Sequence, residues 1–312
     1  MRERGGDRFP FFVRGPAGGR ARVARDRLKA ALRRARGRAM DEPMLTETAY
    51  AKINLALHVR RRREDGYHEL ETLFAFVDEG DRLHAAPAEQ DRLVTHGEFA
   101  SLIEDPFANI VSRALGALPH GKGWAVELEK RLPVAAGLGG GSADAGALFR
   151  MVERAHGLPD DWQQRAARLG ADVPACVLST TCIGRGTGTD LEPLDSDLAG
   201  TPVLLVNPRV AVPTGPVFQA WDEIDRGAMP EGTARAIALE GRNDLEQPAI
   251  AICPPVAQVL DALRETRPFL ARMSGSGATC FALYDDAAQA VRARETIAAR
   301  HPEWWQMQGR LR

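Results

Sequence analysis

Apolar and polar residues alternate strictly from Ala49 to Val59. Ala49, Ala51, Ile53, Leu55, Leu57 and Val59 take one set of positions, and Tyr50, Lys52, Asn54, Ala56 and His58 the other. A period of two predicts a half-buried β-strand with Lys52 and Asn54 on one face, about 7 Å apart. Trp124 to Glu129 alternates in the same way. Behind it, Ala145, Leu148, Phe149, Val152 and Ala155 recur at helical spacing, which predicts a helix opening near Ser142 and stopping at Gly157. Pro159 to Gly170 predicts a second helix, with Pro159 in its first turn, a stripe of Trp162, Ala166, Ala167 and Leu169, and Gly170 at its end. Thr279 to Tyr284 reads as a buried strand between helices over Val256–Glu265 and Ala287–Ala299, so the second half is α+β.

Between the strand at Trp124 and the helix at Ser142 runs Pro133-Val134-Ala135-Ala136-Gly137-Leu138-Gly139-Gly140-Gly141-Ser142. The glycines leave the backbone bare and free to take positive φ. A strand, a bare loop and a helix N-terminus in that order make a phosphate site, because unpaired N–H groups and the helix dipole favour an anion. The loop is neither of two familiar nucleotide motifs. No Gly-Lys-Ser/Thr occurs, and Ser142 and Asp144 stand where a dinucleotide fingerprint needs its third glycine.

Other polar positions carry two readings each. The chain has 37 arginines and only four lysines (Lys29, Lys52, Lys122 and Lys130), so a lysine on the first strand is either solvated surface or a compact charge that chemistry requires. Asp172, in Ala171-Asp172-Val173-Pro174, is either a helix N-cap or a general base and electrostatic partner of Lys52. Tyr67-His68 is either ordinary packing or a stacking plate beside a ring that hydrogen-bonds a base edge. A second glycine turn, Ser274-Gly275-Ser276-Gly277, could close over the same anion as the first.

Composition narrows the field. The 312 residues suit one large domain or two medium ones at roughly 100–200 residues each. No run reaches the roughly 18 apolar residues of a membrane span. Cys176, Cys182, Cys253 and Cys280 form no C-x-x-C pair and read as small buried hydrophobes in a reducing compartment. The net charge of −1 conceals a division: residues 1–43 hold 13 Lys and Arg against 5 Asp and Glu, the remainder 28 against 37. Charge alone would let this basic segment, with a helix over residues 20–38, bind nucleic acid. The favoured expectation is a disordered or dispensable extension with Met40 or Met44 as the real start.

Ala51-Lys52-Ile53-Asn54-Leu55, the glycine loop, Gly170-Ala171-Asp172-Val173-Pro174 and Ser274-Gly275-Ser276-Gly277-Ala278 together resemble the GHMP kinases, over nearly the whole chain from about residue 44. Gly66-Tyr67-His68-Glu69-Leu70 and the triple glycine resemble the branch acting on a cytidine-diphosphate-linked methylerythritol. Ala143 and Gly146 depart from the commoner Ser and Ala. The resemblance implies an α+β two-domain fold, with a ribosomal protein S5 domain 2-like N-terminal domain (44–196) and a ferredoxin-like C-terminal domain (197–312). It implies phosphorylation of that substrate's 2-hydroxyl with ATP and Mg2+, in the cytoplasm, on the non-mevalonate route to isoprenoids. Lys52 and Asp172 would be catalytic. Pro133, Val134, Ala135, Ala136, Gly137, Leu138, Gly139, Gly140, Gly141, Ser142 and Ala143 would hold the triphosphate, with Asn109 near the adenine. Tyr67 and His68 would grip the cytosine, and Asn54 and Thr214 would lie along the substrate. Metal ligands stay unassigned. No membrane and no nucleic acid is required, and a homodimer is allowed. The rival readings are a homoserine or mevalonate kinase of the same family, a non-catalytic nucleotide-binding protein on the same fold, and an RNA-binding protein working through its basic segment.

Overall fold

A computed structural model describes residues 44–103 and 109–312. The expectations for residues 1–43 lie outside the described residues.

Strands β1 (Leu45–Arg62) and β2 (His68–Ala88) form a long antiparallel hairpin. The other edge of β2 is shared by β5 (Cys182–Gly186) near its start and β4 (Gly123–Glu129) near its end. The parallel strand β3 (Arg92–His96) and the antiparallel β6 (Asp190–Pro193) extend the two wings of this six-stranded sheet. A second sheet runs β10-β7-β9-β8, built from β7 (Pro202–Asn207), β8 (Leu270–Met273), β9 (Cys280–Leu283) and β10 (Trp305–Arg310), all antiparallel. In chain order that is 4-1-3-2 among these four strands, a ferredoxin-like sheet.

Alternation along the strands sorts side chains into three cores. Ala49, Phe74, Phe76 and Leu83 face helices α1 (Ile110–Ala117), α2 (Gly140–His156), α3 (Trp162–Leu169) and α4 (Val173–Leu178), where they meet Val111, Phe149, Ala166 and Val173. Ala51, Ile53, Leu55, Leu73 and Ala75 point the other way, toward Val203, Leu205 and Phe281 of the second sheet. Leu204, Val206 and Ala282 on that sheet's far face pack on Val259 and Leu260 of α8 (Pro255–Glu265) and Ile297 of α9 (Ala287–Arg300). Each fully buried Val, Leu, Ile or Phe among these contributes on the order of 2 kcal/mol. Between α4 and α8 lie the short helices α5 (Thr214–Gln219), α6 (Ala234–Glu240) and α7 (Glu246–Ile252).

Sandwiching between two layers changes one expectation. β1 is buried on both faces from Ala49 to Val59 except at Tyr50, rather than half-buried. His58 is wholly covered: its Nδ1–H donates to the Gly227 carbonyl (3.3 Å), and Nε2 accepts from the Arg242 amide (3.1 Å). Burial first, then the Arg242 charge, holds the imidazole below its ordinary pKa. In α3, Ala166 is buried but Ala167 faces solvent. All four cysteines are free and buried, and burial pushes each thiol above its usual range.

Candidate active site

The floor of the site is β1. Its pairing with β2 shifts register between Tyr50 and Lys52, which frees the Lys52 amide to donate to the Leu138 carbonyl of the glycine loop at 3.0 Å. The irregularity thereby fastens loop to sheet. Lys52 and Asn54 share a face as the strand period requires, and their side chains touch: Lys52 Nζ donates to Asn54 Oδ1 at 2.9 Å. Asn54 Nδ2 donates to Thr72 Oγ1 (2.8 Å), and Thr72 in turn to the Ala56 carbonyl (2.8 Å). This chain holds the lysine upright, 5.2 Å from the centre of the Phe74 ring. Lys52 is only 4% exposed, so the solvated-surface reading does not hold.

Asp172 completes the charge balance. It sits at the α3–α4 junction in N-cap position, yet its side chain makes no capping bond. Its Oδ2 lies 3.1 Å from Lys52 Nζ, with a third of the side chain open to solvent.

The glycine loop crosses above this pair. Helix α2 opens at Gly140, two residues before the predicted start, with Gly139 as N-cap at φ +60° and no capping side chain. The amides of Gly140, Gly141 and Ser142 therefore start a helix without acceptors of their own. At Gly139 an added Cβ would come within 3.0 Å of Lys52 Cε and 3.6 Å of Asp172 Oδ2, which measures how closely the loop backbone approaches the ion pair. Leu132, Ala136, Leu138 and Ala143 turn inward as packing anchors, so the outward surface of the loop is mostly backbone. The second glycine turn meets the first. Ser274 Oγ donates to the Gly137 carbonyl at 2.7 Å, and the Thr279 amide donates to the Ala136 carbonyl at 3.1 Å. Gly137 has φ +76°, and a Cβ there would lie 2.2 Å from the Ser274 carbonyl oxygen, so only glycine fits.

A cavity of about 890 Å³ runs from the loop past the ion pair to an aromatic end. Lys52, Asn54, Asp172 and Ala135–Ser142, except Leu138, line one part, and Tyr67, His68, Thr214 and Phe218 the other. Tyr67 is 63% exposed and free to stack. His68 is buried, its ring centre 5.0 Å from that of Phe218 and 5.8 Å from that of Trp221, and its Nε2 has no protein partner. Burial, then the Arg62 charge, holds this imidazole below its ordinary pKa, so it is neutral at neutral pH. Thr214 Oγ1 lies 3.1 Å from Ser276 Oγ on the second glycine turn. A smaller recess of about 150 Å³ adjoins the loop, lined by Asn109, Ile110, Pro133, Val134, Gly140 and Gly141 among others. Asn109 is buried there and caps α1 through the Val111 amide (2.8 Å).

Several groups at this site escaped the sequence reading. Phe218, four residues past Thr214, carried no pattern that sets it apart. Thr72 acts through Asn54, on the neighbouring strand, and nothing in its own surroundings marks it. Lys130 had a signal, as one of four lysines standing three residues before the loop, but its partners Asp81 and Asp144 could not be inferred from spacing. Among the described residues no group of three or more His, Cys, Asp or Glu could cage a metal ion. None of the described helices is long and apolar enough to cross a membrane.

Comparison with known proteins places this geometry in context. Residues 106–180 match the GHMP kinases N-terminal domain and residues 228–303 the GHMP kinases C-terminal domain. A 4-diphosphocytidyl-2-C-methyl-D-erythritol kinase of Novosphingobium aromaticivorans is 68% identical over 276 residues, covering 88% of this chain and 95% of the relative. One from Erythrobacter litoralis is 65% identical over 272 residues, covering 86% of this chain and all of the relative. A crystal structure of 4-(cytidine 5'-diphospho)-2C-methyl-D-erythritol kinase superposes with TM-score 0.73 at 35% identity, covering 86% of this chain and 99% of that one. A homoserine kinase from Cytophaga hutchinsonii, at 15% identity and TM-score 0.59, shares the fold.

Proposed function

The chain belongs to the GHMP kinases, among their 4-diphosphocytidyl-2-C-methyl-D-erythritol kinases, and on that premise we propose how its cavity moves a phosphoryl group from ATP to the 2-hydroxyl of that substrate. The observation that carries the assignment of roles is the Lys52–Asp172 pair, 3.1 Å apart between a bare glycine loop and an aromatic cavity end.

Phosphoryl transfer has a loose transition state, so positioning and charge compensation supply most of the acceleration. The amides at the start of α2 cradle the triphosphate, and the recess beside Asn109 takes the adenine. Asp172 accepts the proton of the substrate hydroxyl as its oxygen bonds to the γ-phosphorus and the bond to the leaving ADP oxygen breaks. The Lys52 ammonium, fixed by Asn54, offsets negative charge between carboxylate and phosphate. Asn54 therefore works mainly through Lys52, since its amide is occupied by Lys52 and Thr72. Tyr67 and Phe218 offer faces to the cytosine, and the unpartnered His68 Nε2 meets its edge. Thr214 lines the path between the two ends.

Mg2+ held largely by nucleotide phosphates and water requires one or two protein oxygens rather than a cage. The Ser142 hydroxyl and the Asp172 carboxylate are oxygen donors lining the cavity at the loop, so the donor set suits the ion. When bound it would neutralise charge on the β- and γ-phosphates. A step in the non-mevalonate route to isoprenoid precursors suits this chemistry, and four free buried thiols suit a reducing compartment such as the cytoplasm.

The site of transfer is tested by phosphorus and carbon NMR of the product made with ATP and Mg2+. Coupling of the new phosphorus to C2 of the methylerythritol supports the assignment. Attachment at any other carbon, shown by a different two-bond partner and no coupling to the 2-methyl carbon, refutes it.

A further inference from the structure

Beneath the glycine loop, with Lys130 and Asp144 bordering the recess given to the adenine, lies a charged cluster to which no step above assigns a role. Lys130 Nζ donates to Asp81 Oδ2 and, at 2.8 Å, to Asp144 Oδ2. All three side chains are almost completely buried, with relative exposures of 3%, 0% and 3%. The other oxygen of Asp81 accepts two main-chain amides, Arg131 (2.5 Å) and Leu132 (2.8 Å), the residues that lead into the loop at Pro133. Asp144 stands at the far end of the loop, in the early turns of α2. Gly140, the first residue of that helix, runs so close that a Cβ there would lie 3.5 Å from the ammonium nitrogen. One ammonium thus ties the start of the loop, through Asp81 on β2, to its end, through Asp144.

The residue type fits the place. In a chain with 37 arginines this position keeps a lysine, whose compact charge donates to both carboxylates at once. Two buried carboxylates around one ammonium would leave a negative charge under a phosphate site. Burial, only partly opposed by Lys130, raises the Asp144 carboxyl well above the usual carboxylate range.

We propose that Lys130 is a positioning residue for the nucleotide loop: bridging Asp81 and Asp144, it fixes the spacing of the loop's two ends and thereby sets the affinity for ATP rather than the rate of the chemical step. This rests on the reading that the loop binds ATP. Losing the bridge lets the loop amides spread before the nucleotide arrives, so binding must reorder them. A residue serving only overall stability would lower the folded fraction and leave both Michaelis constants alone.

The test compares wild type with Lys130→Met and Asp81→Asn, the latter keeping volume and an acceptor for the two loop amides. ATP binding to folded protein is read by calorimetry, and steady-state kinetics give kcat and both Michaelis constants. Lys130→Met is expected to weaken ATP binding at least about tenfold, with the other substrate's KM and kcat within about twofold to threefold. Asp81→Asn is expected to shift the same constant in the same direction by a smaller factor, and it decides the matter if Lys130→Met does not fold. A folded variant that binds ATP within twofold of wild type, or one in which both Michaelis constants rise together, overturns the proposal. A wild type that binds ATP but turns over no cytidylylated methylerythritol would instead refute the substrate assignment, leaving the comparison of ATP affinities intact.

Discussion

Lys52 and Asp172, one on the first strand and the other at a helix junction more than a hundred residues later, meet at 3.1 Å beneath the glycine loop. Neither is placed by local rules alone. Lys52 reaches the contact because Asn54 and Thr72 hold it upright, and Asp172 is available because its side chain makes no helix-capping bond.

Removing either partner should therefore stop the chemistry without emptying the nucleotide site. Asp172→Ala and Lys52→Ala are each expected to lower kcat by about a thousandfold or more, while ATP affinity by calorimetry stays within about tenfold. A near-normal rate from either variant contradicts the assigned roles.

His68 should report on the base-binding end. Because burial holds its imidazole below the ordinary value of about 6.5, the ring stays neutral through neutral pH, and substrate KM should be flat there. KM should rise only on acidification past that value, as a proton on Nε2 changes what the ring offers. His68→Ala is expected to raise substrate KM about tenfold or more and to leave ATP KM unchanged. An inflection in substrate KM above pH 7 would contradict this.

Stability should depend on pH through His58. Its folded pKa is lowered, so its contribution is fully present above the unfolded value near 6.5 and is lost as pH falls toward the folded value. Protonation must break the bond that Nε2 accepts from the Arg242 amide. Urea melts should show wild type losing stability from pH 7 to pH 5, and His58→Gln should flatten that segment of the curve. Equal slopes in the two proteins would exclude His58 as the cause.

Gly137 tests the seam between the two glycine turns. Gly137→Ala puts a methyl against the Ser274 carbonyl and forces a positive φ on alanine, at a cost on the order of 1–3 kcal/mol. Chemical denaturation should show the loss, and the ATP KM should rise with it. An unaltered midpoint would mean the turns do not need this approach.

Much of the site was legible because local rules govern its parts. A strand period of two put Lys52 and Asn54 on one face, and the glycine run ahead of helical spacing marked the loop, although α2 opens at Gly140 rather than Ser142. Local pattern could not decide between a capping and a chemical role for Asp172, because the distinction depends on a contact with a distant strand. His58 shows the opposite failure: its alternation matched a solvated strand face, but a second layer of structure covers it. The Lys130 cluster was invisible for the same reason, since Asp81, Lys130 and Asp144 converge only when β2, the segment leading to the loop and α2 pack together.

The most direct test is initial-rate turnover with ATP and Mg2+ across three alcohols: 4-diphosphocytidyl-2-C-methyl-D-erythritol, homoserine and mevalonate. The cavity predicts kcat/KM for the cytidylylated substrate at least about a thousandfold above the other two, since neither has a base for Tyr67, His68 and Phe218 to hold. Comparable turnover of homoserine or mevalonate, or none of the cytidylylated substrate, would contradict it.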